Sequence, residues 1–82
     1  MEAAFPNPSK GITCIPLESK IKQDIQLNLL DVNGRLIQSI FQGSIPQGQS
    51  RYYLQAGDYP AGQYIIELKG KEQTSQQKLI IN

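Results

Sequence analysis

A chain of 82 residues makes a single domain that buries only about 60–65% of its unfolded surface, so nearly every large apolar side chain is needed for the core. A formal charge of +1, with Lys, Asp and Glu scattered singly, offers no basic stripe to a phosphate backbone and argues against a nucleic-acid partner. Histidine is absent, which removes the commonest general base and metal ligand, and no apolar run approaches the roughly 20 residues that span a bilayer.

Met1-Glu2 does not open a signal peptide, so the chain is expected to be soluble. Short segments of alternating polarity recur along it, punctuated by Gly, Pro, Asn and Asp at intervals of about ten residues, and none keeps a helical period. This pattern predicts an all-β fold, an antiparallel sandwich of about seven strands. No repeat, Pro- or Ser-rich divider or low-complexity tract interrupts it, so residues 1–82 read as one module with a linker over 1–4. Strands are expected near Ile12 to Leu17, Asp24 to Leu30, Arg35 to Phe41, Arg51 to Gln55, Gln63 to Lys69 and Gln76 to Ile81. A seventh, irregular strand either precedes Ile12 or fills part of the stretch from Gly43 to Gln49. Cys14 has no partner for an internal disulfide and reads as a small buried hydrophobe.

The clearest element is the hairpin from Asp24 to Phe41, where Asn33-Gly34 separates two alternating runs. A two-residue Asn33-Gly34 loop would set Leu29 opposite Gln38 and Asp31 opposite Leu36, mixing apolar and polar side chains on one face. A three-residue Val32-Asn33-Gly34 loop, with Gly34 left-handed in a bulge, instead sets Leu29 against Ile37, Ile25 against Phe41 and Leu30 against Leu36. Asp31 then lies across from Arg35, an exposed pair worth well under about 1 kcal/mol that pins register more than it stabilises.

Further along, Asp58 to Leu68 reads as a Pro/Gly turn feeding a central strand whose Tyr64, Ile66 and Leu68 share one face. The close, Gln76 to Asn82, is β-prone and ends on a carboxylate. Its glutamines and Lys78 suit an edge strand that must resist indiscriminate pairing.

Reactive chemistry is hard to find. The carboxylates are spread over the chain without a pairing that implies shared acid/base work, and Asp31, Asp58 and Glu67 fall on different predicted elements. Serines 9, 19, 39, 44, 50 and 75 lack a base to activate them, and no Gly-rich segment opens a helix for phosphate. Asn7-Pro8-Ser9 resembles a glycosylation acceptor, but proline at the middle position excludes it. Tyr52, Tyr53 and Tyr59 could stack on sugar rings, although adjacent strand residues face opposite ways and one of Tyr52 and Tyr53 belongs to the core. No catalytic residue, cofactor, metal or small-molecule substrate is therefore expected, and the chain reads as a non-enzyme.

Four signatures in a fixed order carry a resemblance instead. Phe5-Pro6-Asn7-Pro8-Ser9-Lys10-Gly11 is an aromatic-Pro-Asn-Pro turn; Leu30-Asp31-Val32-Asn33-Gly34-Arg35-Leu36-Ile37 is an Asp-x-x-Gly-Arg hairpin. Tyr59-Pro60-Ala61-Gly62-Gln63-Tyr64 is a Pro-Ala-Gly-x-Tyr turn and strand; Lys78-Leu79-Ile80-Ile81 is a Lys plus β-branched strand. Each is weak alone, but as an ordered set spanning almost the whole chain they resemble the C-terminal sorting domain (type A) of the type IX, or Por, secretion system of Bacteroidota. The departures are Leu30 where the family often has Tyr, no Trp in the Tyr52 to Leu54 strand, and Asn82 where a basic residue is frequent.

The resemblance implies an immunoglobulin-like sandwich joined to an N-terminal cargo domain, which it directs from the periplasm across the outer membrane to the cell surface or medium. The partners it implies are an outer-membrane translocon, a shuttle protein and a cell-surface sortase that removes the domain and can join the cargo to lipopolysaccharide. The sorting-signal candidates are Phe5, Pro6, Asn7, Pro8, Asp31, Gly34, Arg35, Pro60, Ala61, Gly62, Tyr64, Lys78, Leu79, Ile80 and Ile81. Each has a plainer structural reading. Pro6 and Pro8 hold an extended segment with few donors, Gly34 and Gly62 supply turn dihedrals, and Asp31 with Arg35 clamps a hairpin. Lys78 is either an edge-strand gatekeeper or a docking contact. The alternative function is a fibronectin-like or carbohydrate-binding module retained on a surface protein; a third is a structural spacer.

Overall fold

Strands form where the alternating segments lie: β1 (Ile12–Ser19), β2 (Gln23–Asp31), β3 (Leu36–Ile45), β4 (Gly48–Gln55), β5 (Gly62–Lys69) and β6 (Thr74–Ile81), with a 3-10 turn at Ala56–Asp58. This is a computed structural model, and it describes residues 1–71 and 73–82. The six expected strands are all present, most of them a few residues longer than the sequence pattern suggested.

They make a sandwich of a four-stranded sheet, in the order β3-β2-β5-β6, and a two-stranded sheet, β1-β4, with every strand pairing antiparallel. Alternation decides which side chains meet between the sheets. Ile15, Leu17 and Leu54 enter from the small sheet; Ile25, Leu27, Leu29, Ile66, Leu79 and Ile81 enter from the large one, all buried. Each buried aliphatic side chain contributes about 1.5–3 kcal/mol, which is how a chain this small offsets its ordering entropy without a disulfide. Cys14 is free and buried. It lies in cross-strand register between Phe5 and Tyr53 on the outward side of β1.

The irregular seventh segment is the one ahead of Ile12. Phe5 bridges antiparallel to Cys14 on β1, and Ser9 bridges parallel to Ile81 on β6, so one short stretch runs from the edge of one sheet to the edge of the other. Residues 1–4 join it: the Glu2 amide donates to the Pro16 carbonyl, Ala4 is buried and Met1 packs on the core. The stretch expected to be a linker is thus part of the sandwich, because alongside β1 it finds both hydrogen-bond partners and apolar cover.

The hairpin turn forms as expected, but the register beyond it does not. Gly34 sits at φ +85°, its amide donates to the Asp31 carbonyl, and Leu30 faces Leu36. Two register shifts in the pairing of β2 with β3 then skip Ile37 and Ile40, so Leu29 faces Gln38 and Leu27, in place of Ile25, faces Phe41. Bulges are tolerated here because β3 is an edge strand. Phe41 ends on the core side, its ring 4.5 Å from that of Tyr52.

Asp31 and Arg35 do clamp the hairpin, through the main chain and not through charge. Asp31 Oδ1 accepts from the amides of Asn33 at 2.9 Å and Arg35 at 3.0 Å, and the Asp31 amide donates to the Arg35 carbonyl. Main-chain donors held by the turn stabilise the carboxylate better than a solvated guanidinium could.

Tyr64, Ile66 and Leu68 share the inward face of β5, which is central, flanked by β2 and β6. The Tyr64 hydroxyl donates to the Pro60 carbonyl at 2.6 Å, the arrangement of the tyrosine corner in immunoglobulin-like sandwiches. Tyr52 and Tyr53 point to opposite faces as expected, with Tyr52 half-buried and Tyr53 60% exposed.

Candidate functional site

The four signatures, far apart in the chain, gather at one end of the four-stranded sheet. Asp31 pairs with Tyr64 and Tyr64 with Leu79, so the hairpin, the Pro-Ala-Gly turn and the last strand meet in one row. Gly62 pairs with Ile81, and Ile81 bridges Ser9, which brings in the N-terminal signature. The turns carrying Lys20, Lys22 and Lys71 lie at the opposite end, where Met1 helps line an open depression of about 410 Å³.

Within this end the candidate residues divide into those that face solvent and those that hold the framework. Leu79, Ile81 and Tyr64 are core side chains, and Gly34 and Gly62 are turn residues with positive φ or extended backbone. Phe5, Pro6, Asn7, Pro8, Arg35, Pro60, Ala61 and Lys78 are exposed, whereas Asp31 and Ile80 are half-buried. Lys78 projects from the outer face of the sheet. It stands at one end of a cross-strand row, Leu36–Leu30–Ile65–Lys78, whose middle members are apolar on the side away from the core. Leu36 is 61% exposed, and Val32 lies near Ile65 and Lys78 around a shallow groove. The next row on the same face is polar: Ser39, Asn28, Glu67 and Gln76. There Gln76 Nε2 donates to Glu67 Oε2 at 2.9 Å, and Lys69 Nζ lies 3.8 Å from Glu67 Oε1.

This apolar row is what sequence reasoning passed over. Its signal is the doublets Leu29-Leu30 and Ile65-Ile66, which place apolar side chains on both faces of two neighbouring strands. A sheet with one face in solvent normally alternates, so a doublet marks an outer surface that is not simply wetted.

The second feature of this end is the outer edge of β6, the strand expected to lie at a sheet edge. Over its last residues the edge is paired. Asn7 Nδ2 donates to the Lys78 carbonyl and Asn7 Oδ1 accepts from the Ile80 amide, both at 2.9 Å. The Ser9 amide donates to the Ile80 carbonyl at 2.8 Å, and the Asn82 amide donates to the Ser9 carbonyl at 2.9 Å. Gln77 returns the grip, its Oε1 accepting from the Ala4 amide and its Nε2 donating to the Glu2 carbonyl. Because Pro6 and Pro8 carry no N–H, the Asn7 side chain serves as the peptide group that the segment lacks.

Among the described residues no three of His, Cys, Asp and Glu come together to hold a metal ion, and no helix is long and apolar enough to cross a membrane. What this end presents is strand edge, turn and a mixed apolar–cationic face, the equipment of recognition between proteins.

Nothing among curated proteins matches the chain. A family model described as the secretion system C-terminal sorting domain matches residues 3–82, so the match takes in all four signatures and every strand. The chain therefore belongs to the C-terminal sorting domain family of type IX secretion and is a secretion signal domain.

Proposed function

We propose that the outer face of the four-stranded sheet, at the end where the signatures meet, is the surface by which the type IX outer-membrane translocon, or the shuttle protein serving it, takes hold of this domain. The observation that carries this reading is the row Leu36–Leu30–Ile65–Lys78: an apolar strip in which Leu36 is exposed, Ile65 half-buried and Leu30 buried at 6% exposure, closed by one cation, with exposed Val32 beside it. Apolar strips on a small domain that can least spare them indicate contact with a partner. A cargo joined ahead of Met1 would leave the sandwich at the opposite end, beside Lys20 and Lys71, so it would not obstruct this face. The domain accompanies its cargo from the periplasm to the cell surface, where a sortase cuts it away.

The test is a reporter fused ahead of Met1 and expressed in a Bacteroidota host with an intact type IX system. Lys78→Glu and Leu36→Ser alter exposed positions of the row, so both variants should stay folded while surface reporter falls about tenfold or more. Normal export of both, with unchanged melting, would remove this face from the mechanism. Mass spectrometry of the exported cargo should lack Met1–Asn82. Finding the domain still attached would favour the alternative of a retained binding module, to which exposed Tyr53 and Phe5 on the small sheet would be suited.

A further inference from the structure

The cover on β6 is incomplete, and its composition shows how it could be replaced. Alternate main-chain groups of a strand point to opposite edges. Those of Ile80 and Asn82 point outward to Ser9 and Asn7, so those of Lys78, Gln76 and Thr74 point outward too. Of these, the Lys78 carbonyl is taken by Asn7, while the Lys78 amide and the outward groups of Gln76 and Thr74 have no partner among the described residues. The covering segment contributes little to the interior: Phe5, Pro6, Asn7 and Pro8 are exposed, and Ser9 alone of residues 5–9 is buried. With two prolines it can never extend its ladder toward Thr74.

We propose that residues Asn7–Ser9 are a removable cap, and that the receptor supplies an extended strand that displaces them and pairs with β6 from Thr74 to Asn82. This rests on the sorting reading above and names the kind of segment that binds. The incoming strand runs parallel to β6, as Ser9 does at Ile81. Lacking proline, it reproduces every hydrogen bond the cap makes and adds those at Lys78, Gln76 and Thr74, so the exchange gains bonds. A Ser or Thr opposite Ile81 would also restore the buried contact that Ser9 Oγ makes with Thr13 Oγ1 at 2.6 Å. The edge and the face act together, since Lys78 offers its main chain to the one and its side chain to the other. Glu2–Phe5 can stay in place throughout, because the Glu2 amide and the main chain of Phe5 bond Pro16 and Cys14 on β1, while the Ala4 amide and the Glu2 carbonyl bond only the side chain of Gln77 and use no main-chain group of β6.

Two variants of the same reporter fusion test the exchange, both measured against the parent and checked for folding by circular dichroism. Asn7→Ala removes the cap's hold on Lys78 and Ile80 without touching β6, so export should equal or exceed the parent's. A loss of tenfold or more in a folded Asn7→Ala variant would show that Asn7 is itself read by the receptor, and would overturn the proposal. The second variant, Ser9→Cys with Ile81→Cys in a Cys14→Ala background, ties the cap down, since bridged residues on adjacent strands lie within disulfide range. With oxidation verified by loss of thiol labelling, export should fall at least tenfold below either single-cysteine control. Export of the oxidised pair within about twofold of those controls would equally overturn the proposal. If the parent fusion itself stays in the periplasm, the sorting reading fails, a result distinguishable from failure of the exchange alone.

Discussion

The side-chain amide of Asn7 pairs with the main chain of Ile80 as a strand residue would, accepting its N–H at 2.9 Å while donating to the Lys78 carbonyl at 2.9 Å. A side chain is standing in for a peptide group between two prolines that cannot donate. Because each such bond is worth about 0.5–1.5 kcal/mol net, Asn7→Ala should lower stability by about 1–2 kcal/mol, read as a shift in urea midpoint with an unchanged m-value. A change below about 0.3 kcal/mol, well under one net bond, would mean that water replaces the cap without loss.

The hydroxyls of Thr13 and Ser9 form a buried pair at 2.6 Å that ties the same segment to β1. Ser9→Ala should cost about 1–3 kcal/mol, since it strands the Thr13 donor away from water. Adding Thr13→Val to Ser9→Ala should recover part of that loss, because both polar groups are then gone and the shape is kept. A double-mutant cycle with a coupling of about 1 kcal/mol is the expected outcome; strict additivity would show that the two hydroxyls do not interact.

Gly34 closes the Asp31–Arg35 turn at φ +85°, and a Cβ added there would meet nothing within 4 Å. The effect of substitution is thus dihedral strain alone. Gly34→Ala should cost about 1–2 kcal/mol, and Gly34→Asn less, because Asn tolerates the left-handed region. Equal losses for Ala and Asn in thermal unfolding would contradict that assignment.

Tyr64 anchors the Pro-Ala-Gly turn through its hydroxyl on the Pro60 carbonyl, 2.6 Å away, while its ring packs edge-on to Tyr59 at 6.4 Å. Tyr64→Phe keeps the ring and should cost about 0.5–1.5 kcal/mol, whereas Tyr64→Ala should cost about 3–5 kcal/mol by opening a cavity. If Tyr64→Phe were as damaging as Tyr64→Ala, the hydroxyl rather than the ring would dominate.

Much of the architecture is readable from local pattern. Alternation with period two places Ile15, Leu17, Ile25, Leu27, Leu29, Tyr64 and Ile66 on inward faces, and Val32-Asn33-Gly34 dictates its own turn, because both depend on neighbours a few residues away. The ordered signatures likewise suffice to point to the sorting family. Three things depended on the assembled sandwich. The bulges at Ile37 and Ile40 arise where edge strand β3 settles against β2 and brings Phe41 onto Tyr52, a contact with no local signal. The burial of Ala4 and the pairing of Asn7 with Lys78 and Ile80 join residues more than seventy positions apart. The row from Leu36 to Lys78 exists only once strand order puts β3, β2, β5 and β6 side by side. Local sequence determines which way a side chain points; which side chains share a surface is decided by long-range pairing, whose partners the chain reveals only when it has folded.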